Sequence, residues 1–426
     1  MQRQLFDITG NAIIDKQNIV TDLFQAYFNA RKNKRNTINA LAFEKHLESN
    51  LFALHEEIIS YKYQPKKSIC FIVNKPVKRE IFAADFRDRI VHHFIYNYIS
   101  PIFEKRFIHD SYSCRVGKGT HYGIQRVNHF IRSCSENYSK ECYILKLDIK
   151  GYFMAMNKKI IYEKIASLLN KEKMKHSFDL ALTLHLIEQT LFNNPTKDCI
   201  TKSSMSDWEG LPPTKSLFHA KSGCGLPIGN LTSQLFGNIY LNEFDHFVKR
   251  DLKIRFYGRY VDDFVLIHPD KNYLASIIPV MKNFLSDNLQ LELHPDKIYL
   301  QHYSKGVKYL GAVIKPHRIY MANRTKGNFY QSIETWNIII RAEKKLTKEE
   351  QDGFLSSMNS YLGIMKHYKT YKLRKKMLKE NLSAYFWNYF YIGKNYVKLV
   401  RKIKKVRGLN FFLCMACSCW TVGYLG

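Results

Sequence analysis

The stretch RYVDDFVLIH, residues 259–268, carries two adjacent aspartates between apolar runs. Its apolar runs predict two strands around a tight turn, with Asp262 and Asp263 at the turn. Adjacent like charges in a half-buried turn are costly unless cations neutralise them. The stretch therefore predicts a cation site, although an Asp-Asp pair taken alone is most often a structural feature of a turn.

A second carboxylate ends another apolar run, LKLDIKGYF at residues 145–153, in which Asp148 closes a predicted strand. Paired antiparallel strands lie about 4.8 Å apart, so carboxylates at their ends can share ions. Mg²⁺ prefers oxygen ligands, and two such ions can drive an in-line phosphoryl displacement. We expect two Mg²⁺ ions, with Mn²⁺ as the alternative, at a site formed by Asp148, Ile149, Asp262 and Asp263.

The composition points to a polyanionic partner. The chain has 426 residues, and its 66 Lys and Arg against 37 Asp and Glu give a net charge of +29. Nucleic acid is the first expectation and an anionic membrane surface the second. Hydrophobic residues at 46% and charged residues at 24% exclude a disordered or many-span membrane chain. Nine cysteines and a start without an apolar signal core favour a reducing, cytoplasmic compartment.

The order of predicted elements gives the fold class. Helical periodicity covers residues 1–65, and a strand, a basic loop, a second strand and a long helix follow. After the strand ending at Asp148 come helices, a Gly- and Pro-punctuated inserted loop at 193–224, a helix, the hairpin, a helix and further strands. This order predicts an α+β unit whose helices pack on one face of an antiparallel sheet, followed by a basic helical domain.

The last 18 residues are apolar and rich in cysteine. A strand or helix packed on the body or on a partner is favoured over a membrane anchor, because polar residues and glycines dilute the run. Cys414, Cys417 and Cys419 supply only part of a zinc ligand set, so a metal site is not expected there.

These motifs, in this order, resemble the reverse transcriptase family over roughly residues 66 to 315. Asp148 matches the first catalytic aspartate, and Tyr260-Val261-Asp262-Asp263 matches the Tyr-x-Asp-Asp signature. The resemblance implies an RNA-directed DNA polymerase with right-hand architecture. Its parts would be an N-terminal helical extension (1–65), fingers (66–140), palm (141–325), an α-helical basic thumb (326–408) and the C-terminal tail (409–426).

The resemblance also assigns roles to single residues. Phe153 stands at the aromatic gate that favours deoxynucleotides, and Lys297 stands where a lysine is proposed to protonate the departing pyrophosphate. The remaining implied contacts are to the incoming triphosphate (Lys75, Lys78 and Arg79), to the template path (Arg115) and to the primer end (Tyr309 and Gly311).

One stretch departs from many polymerases of the family. GLPIGNLTSQ, residues 225–234, matches the Gly-rich segment beneath the nascent base pair and contributes Ile228, Gly229 and Gln234. Ile228 stands where many members have Gln, and Gln234 where they have Pro. An apolar side chain at 228 cannot hydrogen-bond around the base pair, which predicts lower fidelity. The pattern resembles reverse transcriptases of diversity-generating retroelements.

The expected partners are a template or noncoding RNA, the nascent cDNA and deoxynucleotides. A small basic accessory protein, a second polymerase subunit or a second copy of the chain are further candidates, and a membrane is not expected. Three alternatives stay open: a prokaryotic reverse transcriptase acting with a noncoding RNA in defence against phage, a catalytically inactive nucleic-acid-binding scaffold, and an RNA-templated RNA polymerase, which Phe153 opposes.

Overall fold

The computed structural model describes residues 16–32, 34–74, 77–172, 178–343 and 345–402. The chain forms two compact units, the first ending at Leu310 with Ile314–Arg318 added, and the second comprising Gly311–Val313 and the residues from Ile319 onward. Lys75 and the Cys-rich tail lie outside the described residues, so the predictions made for them stay predictions. So do the boundaries of fingers, palm and thumb.

Within the described residues, the first unit begins with three helices, as the periodicity predicts. These are α1 (Lys16–Arg31), α2 (Ile38–Glu44) and α3 (Leu47–Ile59). They pack against one another, and α1 runs along α4 (Phe86–Glu104). Asp85 caps α4 by accepting a hydrogen bond from the Arg87 amide at 3.0 Å, which satisfies one of the free amides at the start of the helix.

A small sheet precedes α4. Strand β1 (Ile69–Val73) pairs antiparallel with β2 (Arg79–Ala83), and the short strand β4 (Ile200–Thr201) pairs parallel with β1. The predicted inserted loop at 193–224 is therefore partly wrong, because it contributes this strand and three 3₁₀ turns, Met205–Trp208, Pro213–Lys215 and Leu217–His219. A two-residue strand is too short for a periodic sequence signal.

The central sheet carries both predicted acidic strands. It consists of β3 (Tyr143–Asp148), β5 (Phe256–Tyr260), β6 (Asp263–His268) and β7 (Tyr299–His302), in the order β5-β6-β3-β7 with every pair antiparallel. Leu145 and Leu147 of β3 and Phe264 and Leu266 of β6 are fully buried in the main core. These alternate positions bury one side of each strand in that core.

Helices of the first unit cover this sheet and its surroundings. Helix α5 (Thr120–Cys134) contacts β5 and β6, and α10 (Lys271–Leu289) contacts β3, β6 and β7. The others are α6 (Tyr152–Ala155), α7 (Lys158–Glu172), α8 (Leu180–Phe192) and α9 (Leu231–Arg250). The predicted α+β class is confirmed. Near the division between the units lie three short strands, β8 (Val307–Tyr309), β9 (Ala312–Lys315) and β10 (Arg318–Met321).

The second unit is mainly helical around its own core. Helices α11 (Asn323–Glu343), α12 (Lys348–Met365) and α13 (Tyr371–Lys376) surround it, with Phe354 and Phe386 stacked at 4.1 Å. The prediction of a basic helical domain misses a hairpin, β11 (Phe390–Ile392) with β12 (Leu399–Arg401). Within the described ranges, none of the helices is both long and apolar enough to cross a bilayer.

Candidate active site

The β5–β6 hairpin presents the acidic pair on a two-residue turn. Tyr260 and Asp263 form its last register pair, so Val261 and Asp262 make the turn itself. Val261 has φ +57°, a left-handed conformation that is costly for a β-branched residue. Such strain persists where the surrounding structure enforces it, and it concentrates at functional sites.

The sheet register brings Asp148 to this turn. Asp148 is the direct partner of Asp263 across the β3–β6 pair, and the Ile149 amide donates to the Asp262 carbonyl at 3.2 Å. The Ile149 side chain is buried and has no ligand atom, so Ile149 could contribute to a metal only through its main chain. The three aspartates predicted from separate stretches thus lie together at one end of the central strands β3 and β6.

Like charges at this end of the sheet repel one another. Burial and then the nearby Asp148 carboxylate raise the pKa of Asp262 to about 6. Burial also raises the pKa of Asp263 to about 6, against the opposing effect of Lys146. A carboxylate that is hard to ionise beside another carboxylate marks a place where a cation would be favourable.

Two lysines partly neutralise the cluster. Lys297 Nζ lies 2.7 Å from Asp148 Oδ1, and Lys146 Nζ lies 3.0 Å from Asp263 Oδ1. The structure therefore places Lys297 beside the acidic cluster, while its proposed role as a proton donor stays a prediction. Lys146 was not predicted from the sequence as part of the site, although it lies two residues before Asp148 on β3 and therefore on the same face of the strand.

The donor set fits a hard divalent cation, although the side chains do not yet enclose one. Across the described ranges, no group of three His, Cys, Asp or Glu side chains is arranged to hold a metal ion. The Asp263 Oδ1 atom is buried and accepts no well-directed hydrogen bond, despite the nearby Lys146 ammonium. Carboxylate oxygens with excess negative charge are the ligands that Mg²⁺ and Mn²⁺ prefer.

Phe153 and Ile228, which are predicted to contact the sugar and the base pair, pack against a second, small core. Phe153 lies in α6, and both Phe153 and Ile228 pack against Cys70, Phe82, Met154 and Leu217. The Phe82 amide donates to the Ile228 carbonyl at 2.9 Å, which joins the Gly-rich segment to β2.

Two other residues of the Gly-rich segment are exposed. Gly229 has φ +124°, and a Cβ there would lie 3.0 Å from Ile81 Cγ2, so the position requires glycine. Gln234 is exposed on α9. Its contact with a nucleotide or template stays a prediction.

The fingers cations are placed unequally. Arg79 is the first residue of β2 and is exposed. Burial raises the pKa of Tyr260 at the end of β5, and the positive charge of Arg79 acts in the opposite direction. Arg79 therefore lies near the hairpin. Lys78 is half-buried and donates to the Glu209 carbonyl at 2.6 Å. Arg79 is therefore the better placed of these two for a triphosphate.

Arg115 is engaged within the protein rather than presented to solvent. Its side chain is 6% exposed, pairs with Glu104 at 2.8 Å and donates to the carbonyls of Ile108 and Ser111. Contact with a template through Arg115 would require these bonds to break, so the structure favours a structural role for this side chain.

The predicted primer contacts differ in burial and in backbone conformation. Tyr309 is 1% exposed and its hydroxyl has no hydrogen-bond partner, while burial raises its pKa well above the usual range. Gly311 has φ +81°, with space for a side chain but a backbone that favours glycine. Their role at a primer end stays a prediction.

Arg259 is a further residue of the site that the sequence pattern did not predict. It is fully buried, and it pairs with the fully buried Asp245 of α9 through Nε at 2.8 Å and Nη2 at 2.7 Å. Its Nη1 donates to the Val261 carbonyl at 3.0 Å. The guanidinium therefore anchors the strained turn to the helix beneath it.

A family comparison agrees with this geometry. The model of the family "Reverse transcriptase (RNA-dependent DNA polymerase)" matches residues 65–314, more than half of the chain and a range that contains all three aspartates. The chain belongs to the reverse transcriptase family. The right-hand polymerase fold class predicted from the sequence is thereby confirmed.

Individual relatives are distant. Protein YkfC of Escherichia coli is 24% identical over an alignment of 308 residues. The match covers 64% of this chain and 73% of YkfC. Telomerase of Candida albicans, solved with a TWJ fragment of telomeric RNA, has a TM-score of 0.43 and 12% identity, covering 74% of this chain and 59% of that one. Apo telomerase of Candida tropicalis, truncated from its C-terminal domain, has a TM-score of 0.43 and 13% identity, covering 62% and 58%. The chain thus spans less than two thirds of these telomerase chains.

Proposed function

We propose that this protein is an active RNA-directed DNA polymerase that extends a primer, or a structured RNA end, with deoxynucleotides. The observation that carries the proposal is the register pairing of Asp148 with Asp263 beside the Asp262 turn. Bound to these carboxylates, divalent ions would activate the attacking hydroxyl and stabilise charge on the leaving pyrophosphate. Family membership supports the reaction class.

The protein's own side chains have separate tasks in this proposal. The exposed Arg79 guanidinium binds the triphosphate, because its planar fork suits phosphate oxygens. Phe153 supports the sugar and excludes a 2′-hydroxyl. Lys297 holds its ammonium beside Asp148, from where it can neutralise or protonate the departing group.

We propose further that synthesis is error-prone and serves a diversity-generating retroelement. Ile228 supports this because its side chain is apolar and packs on the small core, so it offers the base pair no hydrogen bond. The partners would be a template RNA and a small basic accessory protein or second subunit, in the cytoplasm of a prokaryote. Defence against phage with a noncoding RNA is the alternative role for the same chemistry.

The test of activity is RNA-templated primer extension with deoxynucleotides and Mg²⁺. Asp262→Asn should abolish product, because it removes a charged ligand without changing side-chain size. Asp287→Asn, at an exposed position of α10, is the matched control and should extend as the wild type does. Robust synthesis by Asp262→Asn would contradict the assignment of the site.

The test of fidelity compares cDNA sequences from the wild type and Ile228→Gln. The reverse transcriptases of diversity-generating retroelements, which the chain resembles, concentrate their errors at template adenines. The wild type should therefore misincorporate most opposite adenines, and the variant should make fewer of these errors. An identical error spectrum would contradict the role of Ile228. Sequencing the co-purified RNA and its cDNA separates the two biological roles: a repeat carrying adenine-directed changes supports diversification, and phage-induced or repetitive product supports defence.

A further inference from the structure

Residues 199–224 have no role in the proposed function, yet the segment from residue 199 to residue 226 is hydrogen-bonded at both ends to parts of the candidate site. At its start, the Ile200 amide donates to the Ser68 carbonyl at 2.8 Å and the Lys202 amide to the Cys70 carbonyl at 2.9 Å. At its end, the Leu226 amide donates to the Phe153 carbonyl at 2.8 Å. We refer to residues 199–226 as the bridging segment.

A buried carboxylate holds the middle of the bridging segment to β2. Glu80 is 1% exposed, and its Oε2 accepts from Trp208 Nε1 and from Ser216 Oγ, both at 2.8 Å. Its Oε1 accepts from the Leu217 amide at 2.6 Å. All three donors are neutral and belong to the bridging segment, whereas Glu80 belongs to β2 and follows Arg79 directly. Hydrogen bonds to a carboxylate are stronger than those between neutral groups, so these three bonds are the main polar connection between the bridging segment and β2. We refer to them as the lock.

The bridging segment also lies against the start of the short helix α6, which carries Phe153. Gly151 has φ +58°, and a Cβ there would lie 2.8 Å from the Thr214 carbonyl oxygen. Leu217 is part of the small core against which Phe153, Ile228 and Trp208 pack. The strand that carries Arg79 and the short helix that carries Phe153 are therefore joined through one packed segment.

We propose that Glu80 is a positioning residue for nucleotide selection. By locking the bridging segment onto β2, it fixes Arg79 relative to Phe153, so that triphosphate and sugar of an incoming deoxynucleotide are held together. This inference rests on the proposed polymerase function. It concerns substrate geometry rather than the reacting atoms, so it predicts an effect on KM and on sugar choice more than on kcat.

Three variants test the lock at different points. Glu80→Gln replaces one accepting oxygen with an amide that faces a donor, while Trp208→Phe and Ser216→Ala each remove one donor and leave Glu80 in place. In single-nucleotide incorporation, each should raise KM for a deoxynucleotide, by roughly tenfold for Glu80→Gln. The kcat per active enzyme should change less than about twofold, and the preference for deoxynucleotides over ribonucleotides should fall. Hydrogen exchange of the Leu217 amide should become faster.

Asp88→Asn is the matched control. Asp88 is a 2% exposed carboxylate that also has three donors, the Tyr63 hydroxyl at 3.0 Å, the Lys66 amide at 2.7 Å and Arg87 Nη1 at 3.1 Å. It should lose thermal stability without a change in KM or in sugar choice. If the Glu80, Trp208 and Ser216 variants lower only the active fraction, or change KM no more than Asp88→Asn does, the positioning role is wrong.

Failure of the proposed function gives a different result. A wild type that incorporates no nucleotide on an RNA template contradicts the polymerase proposal, whatever the variants do. In that case hydrogen exchange still decides on the lock itself: unchanged exchange at Leu217 in Glu80→Gln and Trp208→Phe would overturn it. Should Glu80→Gln not fold, Trp208→Phe and Ser216→Ala carry the same comparison.

Discussion

Two charged residues of the candidate site, Asp262 and Asp263, are partly removed from solvent. Asp262 and Asp263 have raised pKa values because burial and neighbouring carboxylates disfavour their charged forms. Lys146 and Lys297 offset part of that cost through ion pairs with Asp263 and Asp148. The cluster therefore holds more negative charge than its lysines neutralise, which is the condition under which divalent ions bind carboxylates tightly.

His92 should make the free energy of unfolding depend on pH. It is 7% exposed, lies against Thr232 at 2.7 Å, and burial followed by His93 and Arg89 lowers its pKa to about 3. In the unfolded chain the imidazole binds a proton below about pH 6.5, whereas in the folded protein it does so only near pH 3. The contribution of His92 to the free energy of unfolding is therefore lost as the pH falls from about 6.5 to about 3. At pH 5 we expect this residue's contribution to the free energy of unfolding to be about 2 kcal/mol smaller than at pH 7.5.

The variant His92→Gln isolates this contribution from other titrating groups. Chemical denaturation at pH 7.5, 6 and 5 should show the wild type losing its advantage over His92→Gln as the pH falls. A difference between the two proteins that stays constant over this range would rule out His92 as the source.

Phe153 gives a prediction about sugar choice. Phe153→Ala should admit ribonucleotides, because the smaller side chain leaves room for a 2′-hydroxyl. Incorporation of matched ribo- and deoxynucleotides, measured separately, should show the ratio moving toward one, with Phe192→Ala, a half-exposed ring at the end of α8, as a control that leaves the ratio unchanged. An unchanged sugar preference in Phe153→Ala would contradict the gate.

At the level of elements, the β5–β6 hairpin depends on what lies beneath it. The turn places Val261 at positive φ, and Arg259 ties that turn to Asp245 of α9. Tyr257 also donates to Asp245, at 2.6 Å. The acidic turn is thus supported by a buried ion pair rather than by its own conformational preference.

Removing one partner of this pair should be strongly destabilising. Arg259→Met leaves Asp245 buried without its cation and should cost about 3–5 kcal/mol in free energy of unfolding. The double variant Arg259→Met/Asp245→Leu should recover much of that loss, because neither charge remains uncompensated. Denaturant titration gives both values, and a cost below about 1 kcal/mol for Arg259→Met would show that the pair does not support the hairpin.

The sequence predicts some of these elements and not others, for physical reasons. Strand ends such as Asp148 and the Asp262–Asp263 turn follow from local alternation and turn chemistry, and their meeting follows from antiparallel pairing. Glu80 and Arg259 gave no such signal, since a buried charge is recognisable only through its partners. The partners of Glu80 lie more than a hundred residues away in the chain. Strands β4, β11 and β12 were missed because they are two or three residues long.

On the scale of the whole molecule, the net charge of +29 is the dominant feature. A chain so basic is relieved of self-repulsion when it binds a phosphate backbone. Its affinity for RNA should fall with salt, with log K decreasing by about 0.7 to 0.9 per phosphate contact for each tenfold rise in salt concentration. Fluorescence anisotropy with a labelled RNA between low and high salt measures this slope, and a flat response would contradict the electrostatic account.

Asp148, Asp262 and Asp263 should together bind divalent ions. Electron paramagnetic resonance of free Mn²⁺ during a titration, in the presence of primer, template and deoxynucleotide analogue, counts the bound ions directly. We predict two tightly bound ions for the wild type and for Asp287→Asn, and loss of tight binding in Asp262→Asn and Asp148→Asn. Equal numbers of tightly bound Mn²⁺ in the wild type and in both site variants would contradict a metal site at these three aspartates.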